Sequence, residues 1–420
     1  MELAPEYVVE LRKQFPALSR TVDGREAVYL DGPAGTQVPQ RVIDAMVDYL
    51  TRCNANHDGA FITSVESDRM LAEAHQAVAD LLGADDPDTV CFGANMTTLT
   101  FAVSRAIART WREDDEVVVT RLDHDANIMP WVLAARDVGA KVRWAGVRTD
   151  DATLDLDDVR RQINARTRLV AVGCASNASG SVNPVETITR WAHDAGALVF
   201  LDAVHYAPHR LIDVAAWDCD LLACSAYKFF GPHVGMLWGK RPLLKSLEAY
   251  KVRPAPDTLP GKWMTGTQNH EGIAGTLAAI DYLADLGRDV ALQPSATRRE
   301  ALRCAYRAIA DYERMLVERL LAGLAELDDV TVWGVTDPDR LDERLPTVSI
   351  THGRLPAAEV ARRLGERGIF AWHGNYYALA LTEALDLEPD GMVRLGLVHY
   401  NTPAEVDRVL ATLAETSNSD

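Results

Sequence analysis

Hydrophobic positions in the first part of the chain fall into two alternating spacings. Short, nearly unbroken apolar runs at 89–92, 116–120, 169–174, 198–201, 221–224 and 234–238 predict buried strands, and 141–145 predicts a further strand. Between them, at 96–108, 126–137, 156–164 and 185–195, apolar residues recur at helical spacing. Alternation of this kind builds a mostly parallel sheet with helices on both faces. Ahead of it the pattern predicts an amphipathic helix within 1–20 that ends near Phe15-Pro16, a strand at 28–30 and a tight loop at 31–36. Helices follow at 39–50 and 67–82, the second stopped by Gly83, with an irregular polar segment at 51–65 between them.

The pattern changes after the last of these runs. Residues 249–271 carry Pro254, Pro256, Pro260 and Gly261 and predict a loop-rich connection. Long helical periodicities follow at 274–286 and 298–326, then candidate strands at 330–332, 347–350, 368–371 and 392–397, with helices at 357–367 and 403–414. The expectation is an α/β chain in two parts. A large domain over 21–273 is built on the mostly parallel sheet, and a smaller α+β domain combines 1–20 with 274–420.

Composition narrows the choice of partners. The chain is 48% hydrophobic and 25% charged, as globular domains are. An excess of 61 acidic over 43 basic residues gives a net charge of -18. That argues against nucleic acid or an anionic membrane as the main partner, while leaving room for a basic pocket that takes a small anion. The six cysteines show no CxxC spacing and mostly lie in apolar segments, which predicts buried reduced thiols and no metal site. The N-terminal stretch MELAPEYVVELRKQF lacks a signal-peptide core, and no apolar run is long enough to span a bilayer. A soluble cytoplasmic protein is expected.

Ligands of parallel sheets gather outside the carboxyl ends of the strands. Here those ends carry suggestive residues. Run 221–224 leads into Ser225-Ala226-Tyr227-Lys228-Phe229-Phe230-Gly231-Pro232, a lysine between two strands at a backbone break. Burial of an ammonium lowers its pKa, and such an amine is a nucleophile able to form a Schiff base. On this segment alone a snorkelling lysine is the equal alternative. Asp202 ends the run 198–201, and a buried carboxylate there requires a cation, either a protonated ring nitrogen or an arginine. The turn Gly93-Ala94-Asn95-Met96-Thr97-Thr98 opens a helix and offers either an anion site or a simple cap. Asp123-His124-Asp125 offers a ring to stack on a planar ligand, or again a cap, and Ser176-Asn177 offers a side-chain amide. Together these are the parts pyridoxal phosphate requires: an imine-forming lysine, an acid for the pyridine nitrogen and a phosphate cradle.

The segment 225–232 resembles the lysine motif of the class V aminotransferase family, in its cysteine desulfurase and selenocysteine lyase branch. The likeness extends to Tyr29-Leu30-Asp31, 124–130, Ser176-Asn177, 202–205, Thr265-Gly266-Thr267, and from Val393-Arg394 to Tyr400-Asn401-Thr402. It implies an aspartate aminotransferase-type fold (fold type I) and a homodimer with shared active sites. By the same resemblance Lys228 carries pyridoxal 5'-phosphate and moves protons at the substrate Cα, Asp202 pairs with the pyridine nitrogen, and His124 stacks on the ring. Asn177 and His205 lie near its phenolic oxygen. Asn95, Met96 and Ser225 hold the phosphate, with Thr267 reaching in from a second subunit. Arg394 clamps the carboxylate of an amino-acid substrate, for which a bidentate guanidinium suits the geometry. Ala34, Trp372 and Tyr377 complete the expected substrate contacts.

Loop 368–378 departs from that branch. Desulfurases carry a cysteine at the position that aligns with Tyr377, and this loop has none. No obvious thiolate is therefore present to take up sulfur. An arginine often found a few residues earlier is Trp372, and Asn95-Met96 replace the threonines usual at the phosphate. Phe370, Trp372, Tyr376 and Tyr377 imply a substrate larger or more apolar than free cysteine, or else simply pack together. The expected activity is C–S bond cleavage of L-cysteine or an L-cysteine S-conjugate by β-elimination, releasing pyruvate and ammonia. The C–S lyases of specialised metabolism, as in lincosamide antibiotic biosynthesis, are the parallel, and Tyr377 and His373 are candidate proton donors to the leaving thiolate. The alternatives are decarboxylation-coupled oxidative deamination, epimerisation or transamination of the same amino acid, a desulfurase without the loop cysteine, and a non-catalytic cofactor-binding dimer.

Overall fold

A computed structural model describes residues 3–418; residues 1–2 of the expected N-terminal helix and residues 419–420 lie outside the described residues. Seven strands form the main sheet: β1 (Val90–Gly93), β2 (Glu116–Thr120), β3 (Lys141–Ala145), β4 (Thr167–Gly173), β5 (Leu198–Asp202), β6 (Leu221–Ser225) and β7 (Gly235–Gly239). Their order is β1-β7-β6-β5-β4-β2-β3, parallel except for β7, which runs against both neighbours. The apolar runs of the inner strands are continuous because both faces of the sheet are buried there, whereas the edge strand β3 alternates charged and apolar residues and is only partly buried. Val118, Val170 and Val199 face one core, and Val117, Leu169 and Phe200 face the other. The strand order reverses between β2 and β4, and this switch point opens the crevice that holds the site.

A second, antiparallel sheet contains β8 (Val330–Trp333), β9 (Thr347–His352), β10 (Trp372–Gly374) and β11 (Met392–Gly396) in the order β8-β9-β11-β10. The strand expected at 368–371 divides in two. Ile369–Phe370 pairs with Val28–Tyr29 outside this sheet, while Trp372–Gly374 joins it as β10. Helix α1 (Met96–Ala108) follows β1 with the expected bounds. Helix α2 (His270–Ala291) runs unbroken through the expected division at residue 273 and packs on Gln40–Asp48, Ile62–Leu82 and α3 (Arg298–Leu324). A Thr297–Glu300 capping box starts α3. The helix expected at 126–137 is a short 3₁₀ turn, Asp125–Asn127, followed by Met129–Val138, where Pro130 sits in the first turn that tolerates it.

The N-terminal helix, Pro5–Arg12, is pinned to the end of the chain by Arg12, which pairs with Glu405 at 2.9 Å. Phe15 packs edge-on against Tyr282, Phe230 and Tyr400. All six cysteines are free; Cys91, Cys174, Cys219 and Cys224 are buried, as expected, and Cys53 and Cys304 are half-buried. Among the described residues no helix is long and apolar enough to cross a membrane.

Candidate active site

Lys228 ends a 3₁₀ turn, Ala226–Lys228, directly after β6. The next turn is tight: Phe230 takes φ of +68°, and its amide donates to Thr36 Oγ1 at 2.8 Å. The Thr36 amide donates to the Tyr227 carbonyl at 3.0 Å, so loop 31–36 clamps the lysine turn. Lys228 is 8% exposed and donates through Nζ to the Pro33 carbonyl. Burial lowers its pKa to about 7; the Arg394 guanidinium pushes the same way and Asp202 opposes it. The amine is thus about half neutral at neutral pH.

Asp202 closes β5 beside that amine. Among the described residues, the one hydrogen bond to its carboxylate is the Val204 amide, at 2.8 Å. Burial raises its pKa to about 6, against the pull of that amide and of Lys228. Asn177 donates through Nδ2 to the Tyr376 carbonyl at 2.9 Å, while its buried Oδ1 has no partner among the described residues. His205 Nε2 sits 3.1 Å from Thr347 Oγ1 on β9, and its buried Nδ1 is likewise unpartnered. Burial keeps His205 neutral. His124 accepts the Ala126 amide at Nδ1 (3.0 Å), which puts the proton of the neutral ring on Nε2. Burial, with Lys228 and Arg394, lowers its pKa to about 4.

The turn between β1 and α1 supplies a cradle. Asn95 caps α1, its Oδ1 accepting the Thr98 amide and hydroxyl at 2.9 Å each. The Met96 amide donates to Ser225 Oγ at 3.0 Å, which leaves the serine hydroxyl hydrogen for a ligand. The Thr97 amide has no intrahelical acceptor, as the second residue of a helix never does. Gly235 on β7 lies so close that a Cβ there would stand 2.3 Å from the Asn95 carbonyl carbon. Asn95, Met96, His124, Asn177, Asp202, His205, Ser225 and Lys228 all line one pocket. Thr267 does not: it is exposed on the turn before α2.

A second pocket adjoins the first and shares His124, Asn177, Tyr227 and Lys228 with it. Its walls bring Ala34, Trp372, His373, Tyr377 and Arg394 together. Arg394, from β11, is buried and stays charged although burial lowers its pKa to about 10. Trp372 is 55% and Tyr377 73% exposed, and the Tyr377 ring stacks on His124 with centroids 5.5 Å apart. No cysteine lines either pocket among the described residues.

Three participants escape a reading of residue types: the Pro33 carbonyl, the Thr97 amide and Tyr376. Asp123 is a fourth. It is buried in the first pocket, accepts the Gly173 amide at 2.8 Å and Asn127 Nδ2 at 2.9 Å, and ties the end of β2 to the end of β4. Its place beside His124 was the available signal, but a capping segment reads the same way.

The residues fit pyridoxal 5'-phosphate on four observations. They are a buried amine beside a buried carboxylate that has no ion-pair partner among the described residues, burial lowering the pKa of the amine, two buried polar atoms without partners among the described residues, and a helix start brought close by a glycine. Comparison with known proteins agrees. The Aminotransferase class-V family model matches residues 28–409. A probable cysteine desulfurase of Streptomyces coelicolor is 33% identical over 433 residues, which cover 97% of this chain and 96% of that one. A cysteine desulfurase of Enterobacter sp. is 32% identical over 425 residues, 97% of each chain. The apo cysteine desulfurase of Thermococcus onnurineus NA1 has the same fold, with a TM-score of 0.86 at 26% identity over 98% of both chains. The chain belongs to the class-V aminotransferase family of pyridoxal-phosphate enzymes, in its cysteine desulfurase-like branch.

Proposed function

We propose that this protein cleaves the C–S bond of L-cysteine or an L-cysteine S-conjugate by β-elimination. The observation that carries the reading is the outer pocket, where Trp372, Tyr376 and Tyr377 stand and, among the described residues, no thiol does. Bound pyridoxal phosphate supplies an electron sink for the bond broken at the substrate Cα. Lys228, neutral in a useful fraction near pH 7, takes the proton from Cα. Arg394 holds the substrate carboxylate, Asp202 keeps a proton on the ring nitrogen, and the Ser225 hydroxyl and Thr97 amide hold phosphate. The half-exposed Trp372 and the exposed Tyr377 flank the route by which a sulfur substituent enters and leaves. Water and the substrate then yield one thiol, one pyruvate and one ammonium per turnover.

The proposal extends to a cytoplasmic homodimer in which Thr267 enters the pocket of the other subunit, and to a role in specialised metabolism. A desulfurase working without the loop cysteine is the second reading, favoured by the names of the relatives. The test incubates the holoenzyme with L-cysteine and a panel of aliphatic and aromatic S-conjugates, with Lys228→Ala as the dead control. Pyruvate and thiol in equal amounts are expected. Alanine with sulfane sulfur from cysteine would favour the second reading, and no pyruvate across the panel refutes the first.

A further inference from the structure

Arg394 has an unusual set of neighbours for a buried cation. It is 4% exposed, and its one hydrogen bond among the described residues runs from Nη1 to the Asn177 carbonyl at 2.8 Å. No carboxylate lies within ion-pairing distance of it among the described residues. Its guanidinium lies instead over the Tyr376 ring, with Cζ 4.2 Å from the centroid. That ring is braced from the strand it serves: the Tyr376 hydroxyl donates to the carbonyl of Met392, two residues before Arg394 on β11. The Tyr376 carbonyl accepts Asn177 Nδ2, and the Asn177 carbonyl accepts Arg394, which closes a three-residue ring of contacts. The backbone is strained to achieve this, with φ of +56° at Tyr376 and +60° at Tyr377, a region costly for residues of this size.

We infer that Tyr376 is the positioning residue for the carboxylate-binding arginine, holding the guanidinium by its π face so that its edge stays open for the substrate. An aromatic face stabilises a desolvated cation without occupying its in-plane N–H donors. A protein carboxylate in that place would pair with the same fork the substrate needs. Asp31 is the acid that acts on Arg394 from nearby, but by charge alone: no hydrogen bond or ion pair joins the two among the described residues. The inference rests on the reading of Arg394 as the carboxylate clamp.

The test titrates the absorbance of the bound cofactor in wild-type holoenzyme and in Y376L, Y376N, Y376F and R394A. Two ligands are compared: an amino acid, and the primary amine that lacks its carboxylate. Y376L and Y376N should each weaken the amino acid about tenfold, the scale of a desolvated cation–π contact, and raise KM far more than they lower kcat. Asn tolerates the left-handed backbone, so its failure to bind would not come from strain. Y376F, which keeps the ring, should recover most of the affinity, and the carboxylate-free amine should bind all Tyr376 variants alike. Wild-type affinity in Y376L and Y376N, or equal loss for both ligands, overturns the inference. If R394A itself keeps the amino acid as tightly as wild type, the clamp reading fails first.

Discussion

Replacing Gly235 with alanine probes the cradle most directly, because the clash is with backbone. The added Cβ would lie 2.3 Å from the carbonyl carbon of Asn95, 2.6 Å from its Cα and 2.8 Å from its oxygen. Relief to ordinary contact distance requires the turn to withdraw by about 1 Å, a movement of the kind over-packing forces at a cost of about 1–3 kcal/mol. The turn is not free to move alone. The Met96 amide is bonded to Ser225, the Asn95 side chain caps Thr98, and Gly235 pairs with Gly93 across β7 and β1. Withdrawal takes the Thr97 amide and Ser225 hydroxyl away from a phosphate together. Two hydrogen bonds to a charged group, at about 1.5–3 kcal/mol each, set the loss at about 3 kcal/mol or more, at least a hundredfold in affinity. Apo Gly235→Ala should be titrated with pyridoxal phosphate and with pyridoxal, alongside urea unfolding. The phosphate ester should lose affinity and the unphosphorylated aldehyde should lose little. Equal affinity for pyridoxal phosphate in variant and wild type would refute the placement of the cradle.

Imine formation between the apo protein and pyridoxal phosphate should follow the neutral fraction of Lys228, with a midpoint at about pH 7 and a rate about tenfold below its plateau at pH 6. Arg394→Ala removes a cation that disfavours the ammonium and should raise the midpoint, whereas Asp202→Asn removes an anion that favours it and should lower it; stopped-flow absorbance decides, and a midpoint near that of free lysine refutes the assignment. Glu116, buried at the start of β2, accepts from Arg143, Arg166 and Asn164 and is held down to about 2, first by its Arg143 hydrogen bond. Its folded pKa lies below the unfolded one, so its stabilisation is present above about pH 4.5 and fades as pH falls towards 2. Glu116→Gln should lose about 1–2 kcal/mol at pH 7 in urea unfolding, screening by the half-exposed arginines included, and a gap that stays constant between pH 5 and pH 2 would sink that account.

Strands buried on both faces and helices of strong period were legible from residue types alone. β2, β3 and α1 have the expected bounds. Helix Ile62–Leu82 starts five residues before the expected position since its first turn carries no apolar signal of the right kind: Ile62 is 74% exposed. The candidate site was readable where chemistry resides in side chains, as at Lys228, Asp202, His124 and Arg394. It was unreadable where chemistry resides in the backbone. Pro33 acts through a carbonyl and Thr97 through an amide, and neither role depends on the residue type. Tyr376 read as a packing aromatic because its function follows from a left-handed φ that nothing in Asn375-Tyr376-Tyr377 announces.

Two buried carboxylates at opposite ends of the main sheet show what separates structure from function here. Glu116 begins β2 and Asp202 ends β5, and both are withdrawn from solvent. Glu116 meets two guanidinium groups and an amide, and its charged form is favoured. Asp202 meets one backbone amide and a lysine that is itself half neutral, and its charged form is disfavoured. Burial is common to the two, so burial does not distinguish them; the supply of positive charge does. An arginine beside Asp202, as beside Glu116, would have satisfied the carboxylate within the protein. Leaving that carboxylate short of a cation, next to an amine kept from full charge, is costly for the empty fold and useful only to a ligand that brings its own protonated nitrogen and its own electrophilic carbon.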